Sequence, residues 1–259
     1  MDKTQWLGEA AAAGTLLPAR PPQAAYEGTF TQRSGASVVP EPASNSQSPT
    51  TRLDQIRQAG CHLLFRYGYS GMTMREIAAS LNIKAASLYY HFPSKQHILF
   101  DLMQATVSEL LRGLRAIVDS ASDPESQLDA AIRWHVSFHT QKREEAFISH
   151  SELRSLEGEN LRTILRLRRE YERLFDSILK RGRRKGVFQM EQRSVIRNCI
   201  LTMCTATAGW FSPQGPLSAD QVADQISHFV RAALVKGEAV ELSNLEADRD
   251  RGRIPATHP

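Results

Sequence analysis

The stretch Thr73-Met-Arg-Glu-Ile-Ala-Ala-Ser-Leu-Asn-Ile-Lys-Ala-Ala-Ser-Leu-Tyr-Tyr-His-Phe92 decides the fold. Thr73 and Glu76 have the spacing of a capping box, in which the hydroxyl and the carboxylate satisfy the free amides of a starting helix. Ile77, Ala78 and Leu81 then recur on one face. Asn82 falls where the chain must turn, and asparagine enters the left-handed region at less cost than most residues. Ile83 and Leu88 point back to the same core, and Ala78 is small where two helices would cross. The spacing predicts two short helices packed across a tight turn. Lys84, Ala85, Ser87, Tyr89 and His91 are expected on the outer face of the second.

Upstream, Ile56, Ala59, Cys61, Leu63, Leu64 and Phe65 make an apolar helical face, with Gly68 placed as its C-cap. Downstream, Pro93 stops the chain. Ser94 is then expected to cap a helix carrying Ile98, Leu99, Leu102, Met103, Val107, Leu110, Leu111 and Leu114. Asp123-Pro124 reads as an N-cap followed by proline at the first helical position. Further helices are predicted near residues 144–156, 160–185, 191–211 and 219–236, the last opened by a Ser218/Gln221 capping box. Gly158 and Gly186 stand where C-caps belong. Only Val187–Met190 has any strand character. The fold class is all-α, with about nine helices: a helix-turn-helix head and a C-terminal helical domain.

The outer face of the second short helix is polar and able to hydrogen-bond, which suits the major groove of DNA. Lys84, Lys95 and the Thr73 hydroxyl are candidates for phosphate contacts that set register. Tyr89 and Tyr90 offer a flat apolar body and a hydroxyl for a phosphate or a thymine methyl. Ala85 and Ser87 are small enough for close approach to base edges, and His91 can contact DNA or pack beneath the helix. By spacing alone, a surface hairpin with no DNA role fits as well.

The residues Phe65-x-x-Gly68-Tyr69, Thr73-Met74-Arg75-Glu76-Ile77-Ala78 and Ser87-Leu88-Tyr89-Tyr90-His91-Phe92-Pro93-Ser94-Lys95 resemble the N-terminal domain of TetR-family transcriptional regulators. The resemblance covers about residues 51–111. It implies a phosphate contact at Thr73, recognition-helix roles for Ser87 and Tyr89–His91, and a phosphate contact at Lys95. Asn82 replaces the usual turn glycine and Ala86 stands where glycine is frequent, so base preference does not carry over. The resemblance further implies homodimers bound to a pseudo-palindromic duplex, repression as the family habit, and a C-terminal domain that takes a small-molecule effector. It implies this organisation: a helix-turn-helix domain over 51–111, and a ligand-binding and dimerisation domain over 112–236. Residues 1–50, rich in Ala, Pro, Ser, Gln and Gly, read as a disordered extension, and 237–259 as a flexible tail.

In the C-terminal region Val195, Ile196, Cys199, Ile200, Met203, Cys204, Thr207, Trp210 and Phe211 form one apolar stripe. Val222, Ile226, Phe229, Val230, Ala233 and Leu234 form another, and two such faces suit a four-helix dimer interface. Candidate effector contacts are Trp134, Phe138, His139, Phe147, Arg154, Arg166, Arg169, Tyr171, Trp210 and Phe211. His135 and His139 lie four apart on one helix face, with His150 as a third imidazole, but without supporting ligands they assign no metal. The arginine-rich run 162–185 reads as a solvated face or as a site for an anionic ligand's phosphates. Its combination with the aromatic residues is similar to regulators of lipid, sterol or aromatic-acid catabolism, many of which respond to coenzyme A thioesters. Two other readings stay open: a sensor of hydrophobic drugs controlling efflux, and a DNA-binding protein with no ligand.

Composition agrees with a globular regulator. The 259 residues are 41% hydrophobic and 23% charged, with a formal net charge of +4 that permits a polyanionic partner. Three cysteines without a CxxC pair fit a reducing cytoplasm, and Cys61 and Cys199 fall in apolar stripes that predict buried thiols. No stretch approaches the ~20 apolar residues of a membrane span. GxSxG, P-loop and strand-associated GxGxxG motifs are missing, and no catalytic constellation emerges, so the chain reads as a regulator and not as an enzyme.

Overall fold

The computed structural model describes residues 51–120 and 123–235, so the predicted N-terminal extension and C-terminal tail lie outside the described residues. Nine α-helices and one 3-10 turn make up the described chain: α1 (Arg52–Gly71), α2 (Met74–Ser80), α3 (Ala85–His91), α4 (Lys95–Asp119), α5 (Pro124–Gln141), α6 (Arg143–Ser151), the 3-10 turn Leu153–Ser155, α7 (Gly158–Arg184), α8 (Arg193–Trp210) and α9 (Ala219–Leu234). The one trace of strand pairing among the described residues is an antiparallel bridge between Phe188 and Val235, beside a 2.7 Å bond from the Gln189 amide to the Leu234 carbonyl.

Local chemistry sets the helix ends. Thr73/Glu76 and Ser218/Gln221 form the predicted capping boxes, and Thr51/Asp54 forms a third. Asp123 accepts from the Glu125 and Ser126 amides ahead of Pro124. Gly186, at φ 75°, follows the last helical residues of α7 as predicted. Three expectations change. Gly68 does not end its helix: at φ 69° it kinks α1, and one more turn runs to Gly71. Gly158, at φ 54°, opens α7 and does not close the preceding helix, which breaks into α6 and the 3-10 turn. Ser94 occupies the N-cap position of α4 without a side-chain cap bond, because its hydroxyl pairs with His97 Nδ1 at 2.9 Å.

Two apolar cores share the long helices. The first gathers Ile56, Leu64, Met72, Ile77, Leu88, Phe92, Ile98, Leu99 and Met103, and also takes in Ile148, Leu156 and Ile164. The second holds Leu111, Leu114, Leu128, Ile132, Val136, Tyr171, Phe175, Ile178, Phe188, Ile200, Cys204, Phe211 and Val230. Helix α4 supplies both cores without a break, a rod of about 37 Å. The boundary drawn at residue 111 therefore falls inside a continuous helix. Helix α6 packs on α1 through Phe65 and Phe147, whose rings meet edge to face at 5.3 Å. The Arg57–Asp101 pair, with bonds of 2.7 and 3.0 Å, clamps α1 to α4.

Candidate nucleic-acid interface and effector domain

The turn between α2 and α3 is built as its sequence predicts. Asn82 takes φ 51°, its amide bonds to the Ala79 carbonyl, and the Ile83 amide bonds to the Ala78 carbonyl at 3.0 Å. Ile77, Ala78 and Leu88 are buried beneath the pair. The Thr73 hydroxyl donates to Glu76 at 2.8 Å and accepts from the Glu76 amide, so it works first as a cap. Lys84 is the N-cap of α3, and Lys84 and Ser87 are exposed. Tyr90 stands 86% exposed and Tyr89 49%, with His91 edge-on to the Tyr90 ring at 5.3 Å.

Two predicted contacts move. Ala85 is half-buried against the head core and is not on the outer face; Ala86 and Tyr90 are exposed in its place. Lys95 is drawn inward. Its ammonium donates to the Tyr69 carbonyl at 3.1 Å and lies 4.3 Å from the Tyr69 ring centre, tying α4 to the end of α1. The carbonyl bond and the cation–π attraction engage the ammonium within the protein and leave it two further hydrogens to donate.

The ten candidate effector residues divide among several places. Phe138, His139, Tyr171 and Phe211 are buried. Phe147 is buried at the junction with α1. Trp134 is half-buried, donates to the Leu110 carbonyl at 3.0 Å, and covers Gly113 so closely that a Cβ there would sit 2.2 Å from the ring. Arg154 is exposed on the 3-10 turn, and Trp210 is 58% exposed. Arg166 and Arg169 are exposed on α7 and meet Arg173, Glu172 and Arg197 around an open depression of about 460 Å³. Arg173 lies in the arginine-rich run 162–185 that the sequence offers as a phosphate site, although it is not among the ten named candidates; Arg197 escapes the sequence reading because it comes from a different helix.

Beneath that helix face lies a polar interior. His135 Nδ1 is 2.9 Å from the Tyr171 hydroxyl and Nε2 is 3.1 Å from Thr205 Oγ1. His135 and His139 stack at 4.2 Å, and His139 Nε2 is 3.4 Å from His150 Nε2. Burial holds all three imidazoles below the usual histidine range, His139 at about 4. Burial also lowers the Arg168 guanidinium to about 10, partly offset by Glu172. Among the described residues no group of three potential ligands is arranged to hold a metal. Cys61 and Cys204 are buried, and burial pushes the Cys204 thiol up to about 12, whereas Cys199 is exposed against expectation.

Helices α8 and α9 each leave apolar side chains in the open. Val195 and Trp210 project from α8, and Phe229, 62% exposed, projects from α9. None of the helices among the described residues is long and apolar enough to cross a membrane.

Comparison with known proteins places both halves in one family. Residues 56–102 match the model described as bacterial regulatory proteins, tetR family, and residues 121–234 match the tetracyclin repressor-like C-terminal domain. The chain is 25% identical over 192 residues to the HTH-type transcriptional repressor KstR2 of Mycolicibacterium smegmatis, spanning 73% of this chain and 94% of the relative. The ketosteroid transcriptional regulator KstR2 of Mycobacterium tuberculosis shares the fold, with a TM-score of 0.69 at 23% identity over 73% of this chain and 97% of that one. AibR, solved in complex with isovaleryl coenzyme A and operator DNA, gives a TM-score of 0.64 at 25% identity, covering 69% of this chain and 97% of that chain.

Proposed function

The chain belongs to the TetR family of DNA-binding transcriptional regulators, and from that premise we propose that it is a homodimeric, cytoplasmic repressor released from its operator by a coenzyme A thioester. It carries no catalytic role. The observation that carries the effector class is the basic depression. Arg166, Arg169, Arg173 and Arg197 converge there from two helices, with one carboxylate, Glu172, among them. Guanidinium groups bind phosphate oxygens through paired charge-assisted bonds, and a coenzyme A moiety brings several phosphates. The buried aromatic residues inside α5, α7 and the end of α8 suit the acyl part. The isovaleryl coenzyme A held by AibR belongs to the same chemical class.

DNA recognition rests on α3. Lys84 sets register on a phosphate, the Thr73 hydroxyl adds a second such contact when it turns its hydrogen from Glu76 to a phosphate oxygen, and Ser87, Tyr89, Tyr90 and His91 face the bases. One helix of seven residues reads few base pairs, so a second copy is needed. The open apolar faces of α8 and α9 supply the pairing surface, which would also cover Cys199. Helix α6 is the element suited to carry the signal, since it touches α1 on one side and the polar interior on the other. An effector acts by binding one arrangement of the paired heads better than the other.

The test is fluorescence anisotropy on a labelled duplex selected by the protein from a random pool. Coenzyme A thioesters of graded acyl length are expected to lower the anisotropy, each at its own midpoint. If none of them releases the duplex or binds the free protein, the effector class is wrong.

A further inference from the structure

The meeting point of α5, α6 and α7 contains an unbalanced set of polar groups. The Arg168 guanidinium donates to the Ser149 carbonyl, and no carboxylate of the described residues pairs with it. His139 Nδ1 lies 2.9 Å from the His135 carbonyl, an acceptor, so Nδ1 carries the hydrogen and Nε2 is left with a lone pair. That lone pair takes the hydrogen of His150 Nε2. His150 Nδ1 is then an unprotonated nitrogen, and it is buried without a partner. The Ser149 hydroxyl, on the same turn of α6, is buried and unpartnered too.

A half-buried cation with a carbonyl but no carboxylate to answer it, and a buried polar nitrogen without a partner, both cost a fold desolvation that is not fully returned. A divalent metal does not resolve this cluster: it would sit next to a guanidinium with two imidazoles and no third ligand. A carboxyl group resolves it fully. Its two oxygens match the guanidinium fork, and its proton matches the free nitrogen.

We propose that Arg168 and His150 form a receptor for a carboxyl group, so that the effector is an acyl thioester whose acyl chain itself ends in a carboxylate. The proposal rests on the effector reading above for the thioester, and on this cluster alone for the carboxylate. At neutral pH the carboxylate enters charged and His150 Nδ1 takes one proton from solvent. The bound state is then a carboxylate between an imidazolium and a guanidinium. The titratable groups that act on His150 are His139 and His135 from α5 and Arg168 from α7; none of them is anionic, so the protonated state needs the ligand's charge.

Calorimetric titration of the full chain tests this with two matched pairs: adipyl-coenzyme A against hexanoyl-coenzyme A, and free adipate against hexanoate. The diacid thioester is expected to bind about tenfold tighter or better than its plain counterpart. Its enthalpy should depend on the buffer in the way that uptake of about one proton requires. Arg168→Met should erase the preference with a Tm no lower than wild type, since a half-buried charge without a carboxylate partner is removed, and Arg168→Lys should keep part of it. Equal binding of the two thioesters overturns the carboxyl receptor and leaves the thioester reading standing. Preference for adipate over hexanoate, lost in Arg168→Met, with no thioester bound, upholds the receptor and removes the thioester. No preference in either pair, or an Arg168→Met variant with lower Tm and intact preference, makes Arg168 a structural residue and ends the proposal.

Discussion

Tyr89 and Tyr90 stand in water at a place where packing gives them nothing, the exposure that the proposed DNA contact needs: two aromatic faces with hydroxyls, held on a helix anchored by Leu88 beneath. Lys84 stands beside them with a free ammonium, whereas the Lys95 ammonium is engaged by Tyr69. The two lysines therefore predict different phenotypes. Lys84→Ala should weaken operator binding uniformly and lower the salt dependence of log K by about one unit, as expected for one lost phosphate contact. Tyr89→Ala should weaken binding with the salt slope unchanged. Lys95→Ala should act on head stability more than on the slope. Anisotropy titrations across a range of salt concentrations separate the three. His139 makes a different prediction. Its pKa lies below the unfolded value, so the unfolded chain takes up a proton first as pH falls. The associated stability is complete above about pH 6.5 and is lost as pH falls toward about 4. The loss amounts to about 3 kcal/mol for that depression. Unfolding curves of wild type and His139→Phe measured between those limits should show the stability of wild type relative to the variant falling by that amount from neutral pH into acid.

At the scale of the element, helix ends and close crossings carry the design. Gly182 of α7 lies against the Phe188 ring, where a Cβ would come within 1.9 Å. Phe188 is buried in the second core and belongs to the bridge that joins Val235, so it has little room to retreat. Gly182→Ala should cost about 1–3 kcal/mol by overpacking, read as a lower urea midpoint at unchanged slope. Most elements were legible in the sequence because their signals are local. The Thr73/Glu76 and Ser218/Gln221 boxes, the Asp123-Pro124 start and the turn at Asn82 depend on a few adjacent residues. What escaped depends on partners far away in the chain. Ser94 fails to cap because His97 takes its hydroxyl, Gly68 only kinks a helix, and Lys95 turns inward to a ring 26 residues away. The effector residues show the same limit. Residue type singled out Tyr171 and His139, which the structure buries, but it gave no reason to bring Arg197 beside Arg166, or Arg168 near His150. Those meetings come from helix packing, and the arginine spacing alone fits a solvated face equally well.

At the scale of the molecule, the two cores are not independent. Helix α4 runs through both, and Ile148, Leu156 and Ile164 insert C-terminal elements into the head core. A change at the polar interior therefore reaches α1 through α6 without crossing a loop. Operator binding by two heads requires a partner on the faces of α8 and α9, where Phe229 and Trp210 are more than half exposed. Phe229→Asp should shift the protein from dimer to monomer in sedimentation velocity and weaken operator binding together with it, while the helical content measured by circular dichroism stays the same. Loss of DNA binding with the dimer intact would place Phe229 elsewhere in the mechanism. The central claim is that thioester phosphates, held by the basic depression, release the operator. The direct measurement is anisotropy of the operator duplex during addition of a coenzyme A thioester, for wild type and for the Arg166→Gln/Arg169→Gln/Arg173→Gln variant. Wild type should release the duplex, and the variant should bind it but no longer let go. Equal release from both proteins would contradict that claim.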